Sequence, residues 1–86
     1  AFATQQLMLA TNNPSLKQNA FASLAQLHPL PKDVQQFLLA KIDHIQDGGA
    51  VAIHLANYGH APWLESLPTT RNKVRKQHVR LALSQR

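Results

Sequence analysis

Proline and glycine cut this chain into pieces of helical length, and none of the pieces alternates apolar with polar residues as a half-buried strand must. The breaks fall at Asn12-Asn13-Pro14, His28-Pro29-Leu30-Pro31, Gly48-Gly49, Gly59 and Pro68. Composition agrees with the helical reading. Alanine and leucine supply 25 of the 38 apolar residues, and the β-branched pair valine and isoleucine only seven. With 86 residues the chain has room for one small domain. The expected fold is all-α: a compact bundle of four or five short helices spanning residues 1–86, ending in a basic C-terminal helix.

Each piece has its own signature. Residues 4–11 make a short helix, and residues 1–12 as a whole are expected to fray. In the second piece Leu16, Ala20, Leu24 and Leu27 fall on one stripe beside Phe21, with Asn13 expected as N-cap and Pro14 at the first helical position. The third carries Val34, Phe37, Leu38, Ile42 and Ile45 on one face and Asp33 in its first turn, where the helix dipole favours an acid. Gly48 is the expected left-handed C-cap, and Asp47 the expected cap of the helix that follows. Residues 49–58 are apolar nearly all round, which predicts a central buried helix ended by Gly59. Trp63 and Leu64 lie in a short turn of helix closed by Pro68, and the last helix starts at Thr69 or Thr70. The expected core is Phe21, Leu24, Leu27, Val34, Phe37, Leu38, Ile42, Ile45, Val51, Ile53, Leu55, Trp63, Leu64, Val74 and Leu81.

Charge is distributed unevenly. All four acids, Asp33, Asp43, Asp47 and Glu65, precede residue 66. Residues 71–86 hold Arg71, Lys73, Arg75, Lys76, Arg80 and Arg86 and no acid, six of the nine basic residues of a chain with net charge +5. On a helical projection Val74, His78, Leu81 and Ala82 fall within a sector of roughly 100°, and Lys73, Lys76 and Arg80 point the other way. Helix energetics oppose this placement. Lys73 and Lys76 repel each other, and Arg71 and Lys73 face the positive end of the dipole, each at a cost of a few tenths of a kcal/mol to about 1. An anionic partner offsets that cost. The reading is therefore non-catalytic binding of nucleic acid, DNA or RNA, with Lys73, Lys76 and Arg80 on phosphates and Arg71 and Arg75 as auxiliary contacts. The competing reading is a small adaptor or regulatory subunit. It would dock on an acidic protein surface, or on another copy of the chain, through the last helix or through apolar positions such as Val79 and Leu83.

Other chemistries find less support. A helix-turn-helix over residues 49–67 lacks any basic side chain in its second helix, and Pro68 cuts that helix short. Trp63 and Tyr58 lie near the basic helix and can stack on bases, but in a chain with five aromatics Trp63 is first a core residue. Five histidines show no metal-ligand spacing, and without cysteine a thiolate site or disulfide cannot form, so no metal or cofactor is expected. The serines have no adjacent base and no glycine-rich phosphate loop exists, so no enzyme activity is expected. No stretch approaches the roughly 20 apolar residues of a membrane span, nor is there an export signal, and a cytoplasmic location is expected.

Overall fold

The computed structural model describes residues 2–85, folded as six helices: α1 (Phe2–Ala10), α2 (Lys17–Ala25), α3 (Lys32–Ile42), α4 (Gly48–Asn57), α5 (Ala61–Ser66) and α6 (Lys73–Ser84). No strand occurs among the described residues. Five of the helices run nine residues or more, and α5 is a six-residue piece. As its all-round apolarity predicts, α4 is the hub, packing against α2, α3, α5 and α6, while α1 lies on α2. Phe21, Leu24, Val34, Leu38, Ile42, Val51, Leu55 and Leu64 are the large side chains buried almost completely. Leu27, Phe37, Ile53 and Trp63 pack against them from the edge.

Local chemistry explains the helix ends, and it corrects several expectations. Asn13 does not cap α2 directly, and Pro14 is not its first residue. The Asn13 side-chain oxygen accepts from the Ser15 N–H, and its carbonyl accepts from Leu16 and Lys17, so residues 13–16 form a turn before the helix begins. Leu16, cut off from the stripe, is left half-exposed. Likewise α3 stops at Ile42, so Ile45 never reaches the face its spacing assigned to it and is 77% exposed. Gly59 does end α4, at φ +92°. The Gly59 N–H bonds the Ala56 carbonyl and the His60 N–H the Leu55 carbonyl, a Schellman closure that needs the left-handed residue between them.

Gly48 has a different task from the one its position suggests. It opens α4, and the His78 ring of α6 lies where its Cβ would be; that Cβ would also overlap the Ile42 carbonyl oxygen. Asp47, next to it, makes no side-chain capping bond but accepts from the Lys17 ammonium at 3.0 Å, tying α2 to the start of α4. A second junction joins the α2–α3 loop to the α4–α5 turn. There the rings of His28 and His60 stack with centroids 4.3 Å apart, and His28 Nε2–H donates to the Tyr58 carbonyl at 2.7 Å.

Candidate nucleic-acid interface

Helix α6 begins at Lys73, three residues later than Thr70. Asn72 takes the cap, its side-chain oxygen accepting from the Arg75 N–H at 2.9 Å. Asparagine is among the strongest N-cap residues, so this boundary was available in the sequence. Two long-range contacts then fix how the helix is turned. Arg75 reaches back to α3's end, its Nε and one terminal nitrogen each 2.8 Å from the two oxygens of Asp43, and its other terminal nitrogen donates to the Pro68 carbonyl at 2.7 Å. This two-pronged bond is the strongest form of the arginine–carboxylate pair, and it raises the Arg75 pKa still further above its ordinary value. One turn on, His78 Nδ1–H donates to the Ile42 carbonyl at 2.7 Å while its ring fills the space left by Gly48.

The consequence is a helix rotated by about 70° from its apolar projection. Val79 and Ala82 are buried and Arg75 and His78 face inward beside them, whereas Leu81, expected in the core, is 45% exposed and Val74 is only half-buried. Val79, expected at an exposed rim, is 5% exposed. Of the residues expected to meet a ligand, Arg71, Lys73, Lys76 and Arg80 all stand exposed, and Arg75 is separated from them by its bonds to Asp43 and Pro68. Two of the other acids are engaged elsewhere: Asp47 pairs with Lys17, and Asp33 accepts from the Val34 N–H in the first turn of α3. The sequence signal that Arg75 differs was its place on the flank of the apolar stripe; its partner, 32 residues away, was not readable.

The remaining motifs resolve into structural roles or do not assemble. Trp63 packs on the core and Tyr58 is 39% exposed at the end of α4. Helix α5 presents no cation and packs against α4 and α6, so the pair α4–α5 offers no recognition helix. Among the described residues no three of histidine, aspartate and glutamate come together to hold a metal ion. His60 is buried with no partner for its Nε2, and burial, with the stacked His28 adding to it, holds its pKa below the usual histidine value against the pull of the Ala25 and Leu27 carbonyls. Burial lowers the pKa of His54 as well. Among the described residues no helix is long and apolar enough to cross a membrane. No family model, no curated protein sequence and no solved structure matches this chain.

Proposed function

We propose that this chain is a non-catalytic nucleic-acid-binding module, a single helical domain that uses α6 to contact phosphates. Lys73, Lys76 and Arg80 neutralise the backbone, and Arg71, just ahead of the helix, adds a contact at its end. Arg75 is the positioning residue that holds the ridge outward. The observation that carries this reading is an exposed helical face with three cations and no acid on its own helix, on a chain whose remaining surface is close to neutral. Like charges this close cost helix stability, and a polyanion relieves the repulsion while releasing its own counterions. Under this reading the protein works in the cytoplasm.

Anisotropy of labelled duplex DNA, single-stranded DNA and RNA hairpins, titrated at low and high salt, tests it. Micromolar or tighter binding that weakens steeply with salt, and is lost when Lys73, Lys76 and Arg80 are all replaced by glutamate, supports the reading. Absence of binding at low salt overturns it. The second reading, a protein adaptor, draws on the apolar residues left in solvent, Leu9 at 69% and Ile45 at 77% exposed. It no longer draws on Val79, which the fold buries.

A further inference from the structure

Opposite the buried face of α6, four exposed side chains run along the crest: Lys73, Gln77, Arg80 and Ser84. Their spacing of four, three and four keeps all of them within a sector of about 60°, one residue per turn. We infer that this crest enters the major groove of B-form DNA, with Gln77 reading a base edge between phosphate contacts from Lys73, Lys76 and Arg80 and a further one from Arg71. The inference rests on the nucleic-acid reading above and narrows its ligand to duplex DNA.

Three features carry it. First, every crest residue is a type that bonds a base edge. Arginine and lysine fit the guanine O6/N7 pair, glutamine fits adenine N6/N7, and a serine hydroxyl suits either. The Ser84 hydroxyl already donates to the Leu81 carbonyl at 2.9 Å, which leaves its lone pairs to accept. Second, the crest is long enough to matter. The eleven steps from Lys73 to Ser84 at 1.5 Å rise give about 16 Å, close to five base pairs at about 3.4 Å each. Third, α6 lacks what the other nucleic acids require. Unpaired strands and RNA loops are held by aromatic rings stacked on bases, and the one ring on α6, His78, is turned inward to the Ile42 carbonyl. The major groove of A-form RNA is too deep and narrow for side chains to read, whereas that of B-DNA, about 12 Å wide, admits a helix.

Selection from a randomised duplex DNA pool, followed by anisotropy on the enriched sequence, its scrambled duplex, the corresponding RNA duplex and the single strand, tests this. Duplex DNA should bind tightest, with a motif of about four to five base pairs. Gln77→Ala should cost about 5- to 150-fold on the enriched sequence, little on the scrambled one, and leave the salt dependence unchanged. Circular dichroism of Gln77→Ala should match wild type, because the side chain is exposed. Equal or tighter binding of RNA or single strands, or enrichment of no motif, overturns the major-groove inference while phosphate binding stands. No binding to any nucleic acid, with retention of an acidic protein surface instead, overturns both.

Discussion

Gly48→Ala is the substitution in which the account of α6 is most exposed. At an ordinary helix position, replacing glycine by alanine stabilises by roughly 0.5–1 kcal/mol, because glycine loses more freedom on folding. Here the sign should reverse. The new methyl would overlap both the His78 imidazole and the Ile42 carbonyl oxygen, so the ring must leave and α6 must shift. Overpacking costs about 1–3 kcal/mol, and losing the His78–Ile42 hydrogen bond adds about 1 more. The expected loss is therefore about 2–4 kcal/mol. In a domain of this size each kcal/mol lowers Tm by roughly 4–8 °C, so a fall of at least about 8 °C should follow in thermal melts read by circular dichroism. Placing the same change in a His78→Ala background should recover part of the loss, because the Ile42 oxygen still obstructs. A Gly48→Ala protein as stable as wild type, or more so, would refute the idea that this contact sets the rotation of α6.

Other changes probe the same arrangement. Val79→Ala should cost about 1–3 kcal/mol in urea unfolding, from lost transfer energy and a small cavity, while Leu81→Ala should stay within about 0.5 kcal/mol; the reverse order would restore the simple apolar projection. Asp43→Ala should destabilise by about 1–3 kcal/mol, since it strands a half-buried guanidinium, and Asp43→Ala with Arg75→Ala together should cost less than the sum of the two. The His60 pKa is lowered in the fold, so the unfolded chain binds the proton more readily. Stability is then full above about pH 6.5 and falls as the pH drops through that value towards the folded pKa. His60→Phe should flatten that fall between pH 7 and 5, leaving the slope that His54 contributes; an unchanged pH profile would show that the stacked histidine pair is not its source.

Much of this molecule could be read from residue types alone, because much of it is local. Prolines and glycines set the segments, the all-round apolarity of residues 50–56 marked the central helix, and Gly59 sits where a left-handed closure is needed. The cations of the candidate interface were equally legible, as exposed side chains on a helix without acids. What escaped was decided by partners far apart in sequence. Asp43 and Arg75, 32 residues apart, and Ile42 and His78, 36 apart, turn α6 away from its own apolar stripe. Gly48 resembles a helix cap until the ring that occupies its missing side chain is known. Ile45 followed the period of α3, and periodicity cannot say that a helix will stop three residues sooner.

The most direct measurement is the salt dependence of duplex DNA binding in a set of single variants. With four phosphate contacts, from Arg71, Lys73, Lys76 and Arg80, the slope of log K against log salt should be about −3.6, and each alanine replacement should reduce its magnitude by about 0.9. Lys17→Ala, which removes a cation of α2 engaged with Asp47, should leave the slope as it is. Slopes that diminish residue by residue at Arg71 and along α6, and nowhere else, are the predicted result. A slope near zero, or one that Lys17→Ala lowers as much as Lys76→Ala does, would contradict the claim that this face is where the anion binds.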